Sequence, residues 1–377
     1  MPVRNDGLNF DDTERIYLMA DKLRIGLVGC GGIAKGKHLP SLSRLNNVEI
    51  VAFCDIVPER AAECAKEYGS ADAKTYTDYK KLLADKTIDV VHVLTPNDSH
   101  AEITVASLES GKHTLSEKPM AKKAKDARKM VEAAKKTGKK LTIGYQSRHR
   151  NDSQYLKKLV EKGELGEIYY AKAHAIRRRG VPTWGVFMDK EKQGGGPLID
   201  IGTHALDLTL WLMDNYKPKM VVGSIFHKLS QRENAANAFG PWDPKQFTVE
   251  DSAFGFITMH NGATIVLESS WALNTLQVDE AKCTLCGTEG GADMMGGLRI
   301  NGEQFSRLHE TKVDLSAGGV AFYSGKAESE ADREARLWIE AIVNDTDPVV
   351  LPEQACVVSE ILEAIYDSAK SGKPVFF

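Results

Sequence analysis

Apolar residues come in two textures along this chain, and the change between them falls near residue 145. Before it, short apolar runs of strand length alternate with stretches of helical spacing. Leu23–Val28 reads LRIGLV, Val48–Phe53 reads VEIVAF and ends at Cys54-Asp55, and Val90–Leu94 reads VVHVL. Shorter runs stand at His113–Ser116 and Leu141–Gly144. Between them Pro58–Tyr68, Tyr79–Asp85, His100–Glu109 and Ala124–Thr137 read as helices. Strand and helix in alternation predict a doubly wound parallel sheet. Ligands of such sheets sit outside the carboxyl ends of the strands.

After residue 145 a helix over Ser153–Lys162 leads to Glu167–Ile176, which alternates like a strand. A loop rich in Arg, Gly and Trp follows, then a helix over Leu198–Met213. Four strands then arrive with no helix between them: Met220–His227, Phe247–Met259, Ala263–Trp271 and Ala281–Cys286. His260-Asn261-Gly262 has the composition of a hairpin turn. This run predicts a large, mostly antiparallel open sheet. Asp332–Asn344 and Pro352–Ser371 close the chain as helices, and Lys373-Pro374-Val375 reads as a short strand. The expected organisation is an arm over 1–22, a dinucleotide-binding unit over 23–144 and a second α/β unit over 145–377. The arm, with a short helix over Asp11–Lys22, fits either a disordered segment or one that docks on a neighbouring subunit.

Composition narrows the class. A chain of 377 residues suits two domains. Hydrophobic and charged shares of 42% and 27% fit a globular enzyme, and a net charge of −3 argues against a nucleic-acid or anionic-membrane partner. The first residues, MPVRNDGLNFDD, carry no apolar run of the kind that opens a secretory signal. A cytoplasmic protein with reduced thiols is expected. Cys283 and Cys286 have CxxC spacing, but in a strand they point to opposite faces and no nearby His completes a metal site. No metal is expected.

The first candidate chemistry follows the first strand. Gly29-Cys30-Gly31-Gly32-Ile33-Ala34 is a G-x-G-x-x-A turn. Gly29 permits the tight turn, Gly31 lets a pyrophosphate approach the backbone, and Ala34 lets the helix pack close to the strand. The helix N–H groups and dipole then favour the phosphate charge. Asp55 ends the second apolar run, where a carboxylate accepts from ribose hydroxyls and repels a 2′-phosphate. The cofactor expected is NAD rather than NADP.

The second constellation lies beyond Gly194-Gly195-Gly196. Asp200 and His204 are four apart on the helix that starts at Pro197, so they share a face, with Asp207 on nearly the same stripe. A carboxylate beside an imidazole keeps it basic and orients it. Lys118 ends an apolar strand, and Pro119 after it holds the backbone extended. A Lys there points toward the ligand crevice.

Together these motifs resemble the Gfo/Idh/MocA oxidoreductase family (glucose–fructose oxidoreductase, inositol dehydrogenase and relatives). The resemblance rests on the G-C-G-G-I-A turn, Thr95-Pro96-Asn97 with His100, Glu117-Lys118-Pro119, Gln146 with Arg148, the segment at 163–168, and Gly195-Gly196 through Asp200 and His204. It implies an N-terminal Rossmann domain, a C-terminal α/β domain with an open sheet, and homo-oligomers, dimers or tetramers, formed through that sheet. It implies cofactor contacts at Gly29, Gly31, Gly32, Ile33, Asp55, Thr95, Asn97, His100, Glu117, Lys118 and Gln146. His204 would be the acid–base residue, Asp200 would orient it, and Lys118 would hydrogen-bond the reacting hydroxyl. Arg148 and Trp184 would join Lys118, Asp200 and His204 at the substrate. One departure loosens the substrate inference: the family often carries Asn-x-Arg followed by an aromatic residue, where this chain has Gln146-Ser147-Arg148-His149.

The implied substrate is a sugar, glycoside or cyclitol oxidised at a secondary hydroxyl, with C3 of a glucosyl group ranked first. An inositol dehydrogenase, or a redox-neutral NAD-dependent glycosidase or lyase, is the alternative. Trp184, Trp242, Trp271 and Tyr323 offer rings for stacking on a sugar, and each also fits a core position. Of Arg177-Arg178-Arg179, alternation places one Arg near the ligand and another in solvent.

Overall fold

The computed structural model describes residues 22–315 and 328–377. The N-terminal arm up to residue 21 and Tyr323 lie outside the described residues.

The first sheet has six strands: β1 Leu23–Val28, β2 Val48–Cys54, β3 Lys74–Tyr76, β4 Val90–Val93, β5 His113–Ser116 and β6 Leu141–Ile143. Their order is β3-β2-β1-β4-β5-β6, and every pairing is parallel. The order reverses between β1 and β4, which opens a crevice at their carboxyl ends. Ile25 and Leu27 of β1 are fully buried, as expected for a strand covered on both faces. Strand β3 escapes the sequence pattern because Lys-Thr-Tyr is short, polar and at the edge.

The second sheet has nine strands: β7 Ile168–Ile176, β8 Pro218–Phe226, β9 Ser252–Met259, β10 Thr264–Ser270, β11 Asp279–Gly287, β12 Gly290–Asp293, β13 Arg299–Gln304, β14 Arg307–Lys312 and β15 Val375–Phe376. The order is β14-β13-β12-β11-β7-β10-β9-β8-β15, antiparallel except where β7 meets β10. Helices Thr203–Met213 and Pro352–Ser371 cover its inner face. On the outer face Val222, Phe226 and Phe256 stay exposed. Residues 247–251, expected in a strand, form the loop before β9.

One helix sits where chain order does not predict. Glu330–Val343, capped by the Ser329 side chain, packs on the first sheet. Its Ala335, Trp338 and Ile339 are buried with Ile25, Leu27 and Phe53. Each large side chain so buried contributes roughly 1.5–3 kcal/mol. The chain therefore crosses back after the second sheet, and the Rossmann core is completed by residues far beyond 144. Among the described residues no helix is long and apolar enough to cross a membrane.

Candidate active site

The glycine turn leads from β1 into a helical segment over Ala34–His38 and Leu39–Leu42, the first part with a π turn. Gly29 has φ +101°, and a Cβ there would lie 2.5 Å from the Leu94 carbonyl oxygen, so only glycine fits. A Cβ on Gly31 or Gly32 would meet nothing within 4 Å. The backbone there faces open space, as a bound pyrophosphate requires, and Ile33 beside it is 40% exposed. The Asp55 carboxylate reaches the same turn, with Oδ2 accepting from the Cys30 N–H and Oδ1 from the Val57 N–H, both at 2.9 Å. The residues present fit a dinucleotide.

Across the crevice, the segment after β4 is clamped. Both ring nitrogens of buried His100 face carbonyls, Nδ1 that of Pro119 and Nε2 that of Thr95, each at 2.8 Å. His100 thus ties Thr95 to the cis Lys118–Pro119 peptide rather than offering an atom to a ligand. Burial pushes its pKa below the ordinary value against the pull of those two carbonyls. The Thr95 side chain accepts from the Ser99 hydroxyl, and Asn97 Nδ2 donates to the Gln193 carbonyl at 3.0 Å.

Lys118 projects from the end of β5. Its Nζ lies 3.0 Å from Asp200 Oδ1 and 3.0 Å from the Asp200 carbonyl. Asp200 sits in a π turn, Leu198–Gly202, that opens the buried helix Thr203–Met213. Glu250 anchors the start of this turn: it accepts from the Gly196 and Leu198 N–H groups and from the Tyr366 hydroxyl. Glycine at 196 is needed because a Cβ would lie 2.1 Å from the Glu250 carbonyl oxygen. The second Asp200 oxygen, Oδ2, accepts from the Trp271 indole at 3.0 Å, and Arg177 Nη1 stands 4.0 Å away. Burial works to raise the Asp200 pKa, but Lys118 and Arg177 outweigh it and hold it below the usual carboxylate range.

His204 lies beside this pair, with its ring edge-to-face against Tyr145 at 6.2 Å. Its Nδ1 is buried and has no hydrogen-bond partner. Burial first, and the Lys118 charge second, push its pKa down to about 3, with Asp200 pulling the other way. The imidazole is therefore neutral. The expectation that Asp200 orients His204 and keeps it basic is corrected: the carboxylate is committed to Lys118 and Trp271. Asp207, expected on the same stripe, is fully buried and paired with Arg148.

Arg148 is likewise corrected. It is 0% exposed, with Nε and Nη2 donating to the Asp207 carboxylate at 2.9 and 2.6 Å and Nη1 donating to the Val349 carbonyl and to Gln354 Oε1 of the last helix. It offers nothing to a substrate. Glu117 is buried too: Oε1 meets Lys37 Nζ and His38 Nε2, both at 2.9 Å, and Oε2 accepts from the Lys118 N–H at 3.0 Å. Burial would raise its pKa, yet Lys37 and His38 hold it well below the usual range. Glu117 braces the site rather than facing a cofactor. Gln146 Oε1 accepts from Lys37 at 3.2 Å.

Trp271 and Trp242 are core residues, not sugar platforms. Trp184 is 52% exposed and packs edge-on against Phe239 and Phe187, and Phe187 in turn meets Trp271. Cys283 is buried, with its thiol 3.6 Å from the Met294 sulfur, and among the described residues no group of three or more His, Cys, Asp or Glu could hold a metal ion. Sequence reasoning missed Lys37. Its signal was a Lys-His pair directly after the glycine turn, in a helix that must pack on β1.

Residues 23–145 match the family model of oxidoreductases with an NAD-binding Rossmann fold, and residues 153–293 match the GFO/IDH/MocA C-terminal domain. The chain is 35% identical over 365 residues to the D-glucoside 3-dehydrogenase of Escherichia coli (strain K12), covering 95% of this chain and 98% of that protein. It is 33% identical over 198 residues to the inositol 2-dehydrogenase of Salmonella typhimurium (strain LT2), covering 52% and 56%. Its fold is similar to that of an oxidoreductase domain protein from Kribbella flavida, with TM-score 0.81 and 25% identity over 95% of this chain and 99% of that one. It is also similar to levoglucosan dehydrogenase in complex with NADH and levoglucosan, with TM-score 0.78 and 22% identity over 94% and 99%. With the full-length match to the first of these relatives and both halves matched to the family, the chain belongs to the GFO/IDH/MocA family of NAD-binding oxidoreductases.

Proposed function

We propose that this protein oxidises a secondary hydroxyl of a glycoside, at C3 of a glucosyl group, to a 3-keto sugar. The observation that carries the chemistry is the meeting of the Lys118 ammonium, pinned by Asp200, with a neutral imidazole whose Nδ1 has no partner. The similarity to a D-glucoside 3-dehydrogenase, 35% identical over 95% of this chain, supports the choice of substrate over an inositol, whose dehydrogenases match at 33% over 52% or 30% over 86%.

The open backbone at Gly31 and Gly32, with Gly29 and Ile33, would hold the pyrophosphate. Asp55 would take the adenosine ribose, and Thr95, Asn97 and Gln146 would line the rest of the crevice. Bound NAD supplies the hydride acceptor. Lys118 would donate a hydrogen bond to the reacting oxygen and stabilise negative charge as the O–H bond weakens. Asp200 would hold Lys118 in place. His204 would take the hydroxyl proton, leaving a ketone, NADH and a proton for solvent. Trp184, at the exposed end of the ring file from Trp271, would cover the sugar.

The outer face of the second sheet supports a homo-oligomer. Val222, Phe226, Phe254 and Phe256 form a row there, the pair Phe226 and Phe254 edge-on at 6.0 Å, and among the described residues no helix covers it. A dimer or tetramer would bury this face.

The test is absorbance at the NADH band with purified protein, NAD, and a panel of glucosides, free sugars and inositols. A rise with glucosides, with a 3-keto product identified by NMR, is expected. A rise with inositols alone would overturn the substrate. Glycoside consumption without net NADH would point to redox-neutral elimination instead.

A further inference from the structure

Lys37 is buried and sits at the meeting point of four elements. All three hydrogens of its ammonium have acceptors: Glu117 Oε1 at 2.9 Å, Glu334 Oε2 at 2.7 Å and Gln146 Oε1 at 3.2 Å. Glu117 directly follows β5, Glu334 belongs to the helix Glu330–Val343, and Gln146 opens the turn Gln146–His149 that leads into the second sheet's half of the chain. Lys37 itself lies in the segment that follows the glycine turn.

The local backbone is built for this contact. In the π turn over Ala34–His38, the Leu39 N–H reaches back to the Ala34 carbonyl, five residues away. The wider turn brings successive side chains closer in direction, so that Lys37 and His38 both reach the same Glu117 oxygen. The other Glu117 oxygen accepts the Lys118 N–H at 3.0 Å. Three hydrogen bonds through the Glu117 carboxylate thus join the helix that would carry the cofactor phosphates to the backbone of the lysine that faces Asp200.

We propose that Lys37 is a positioning residue for the oxidation: through Glu117 it sets the backbone of Lys118, coupling the phosphate-side helix to the reacting end of the site. The proposal rests on the role assigned above to Lys118. Lys37 touches neither substrate nor reacting atoms, so its effect must pass through Lys118.

The experiment compares steady-state kinetics with NAD and a glucoside for the wild type, Lys37→Met, Lys118→Ala and the double variant, with the melting temperature of each. Lys37→Met is expected to lower kcat by about tenfold or more, as misplacement from outside the chemistry does, while KM for NAD moves less. In the Lys118→Ala protein the same substitution should change kcat no further. If Lys37→Met does not fold, Glu334→Gln loosens one anchor of the ammonium and should lower kcat in the same Lys118-dependent way. A lower melting temperature with unchanged kcat, or an equal loss with and without Lys118, would overturn the inference. Near-normal turnover of Lys118→Ala would instead overturn the role of Lys118 itself.

Discussion

Trp271 donates its indole N–H to Asp200 Oδ2 at 3.0 Å, from a position 71 residues further along the chain. With Lys118 on Oδ1, the carboxylate is held from two sides and its plane is fixed. A hydrogen bond to a charged acceptor contributes roughly 1.5–3 kcal/mol. Trp271→Phe keeps a ring against Phe247 and Phe187 but deletes the donor. Turnover should fall about tenfold, the equivalent of roughly 1.4 kcal/mol in the barrier. Unchanged kcat in a folded variant would mean that Lys118 alone orients Asp200.

His204 is where the pH dependence should be read. A base must be unprotonated, so activity through it is lost as pH falls through its pKa. Burial and Lys118 push that value down from 6.5 to about 3. The kcat/KM profile, which reports the free enzyme, should therefore lack a histidine limb near 6.5 and stay level well below it. His204→Ala should lower turnover by about 100-fold or more, since general acid–base catalysis typically contributes 10²–10⁴. Near-normal turnover of that variant would remove the imidazole from proton transfer.

These contacts mark how far the sequence could be read. The glycine turn, Asp55 and the parallel strands were legible because turn chemistry and strand period are local. The shared face of Asp200 and His204 was legible for the same reason. Their hydrogen-bond partners were not, because Trp271 and Lys118 come from distant elements and the π turn at 198–202 alters how the helix starts. Arg148 was expected at the substrate from the resemblance and Asp207 on the stripe of His204 from its spacing; charged side chains rarely enter a core unpaired. Here they enter as a pair, beside a helix whose side chains are buried from Thr203 to Leu212. Strands β12 to β14 were missed because β12 is a four-residue strand with two glycines and β13 and β14 are mostly polar and half or fully exposed, leaving no hydrophobic period. The helix Glu330–Val343 was recognised, but nothing local tells which sheet its apolar stripe will cover.

The Arg148–Asp207 pair yields a stability prediction. Both side chains are 0% exposed, and two hydrogen bonds join them. Removing one partner of a buried pair strands the other charge and costs about 3–5 kcal/mol. Arg148→Met should lower the melting temperature accordingly while leaving the affinity of the folded protein for NAD unchanged. Arg148→Met with Asp207→Leu should recover much of the loss, because no charge is then stranded. A loss of glucoside affinity with normal stability would return Arg148 to the substrate site.

Asp55 has two tasks that can be separated. Its oxygens accept the Cys30 and Val57 N–H groups at 2.9 Å each, which holds the glycine turn against β2. A carboxylate has about four acceptor positions, so ribose hydroxyls can still be bound. Its charge also opposes a 2′-phosphate, and that repulsion is what would favour NAD over NADP. Asp55→Asn keeps the shape and one acceptor oxygen but removes the charge; Asp55→Ala removes both. Dissociation constants for NAD and NADP, measured by fluorescence quenching, should show the preference for NAD narrowing in both variants. The affinity for NAD itself should fall further in Asp55→Ala, because the turn then loses its anchor. An unchanged ratio in Asp55→Asn would mean that the carboxylate serves the turn alone and that discrimination against the 2′-phosphate lies elsewhere in the crevice.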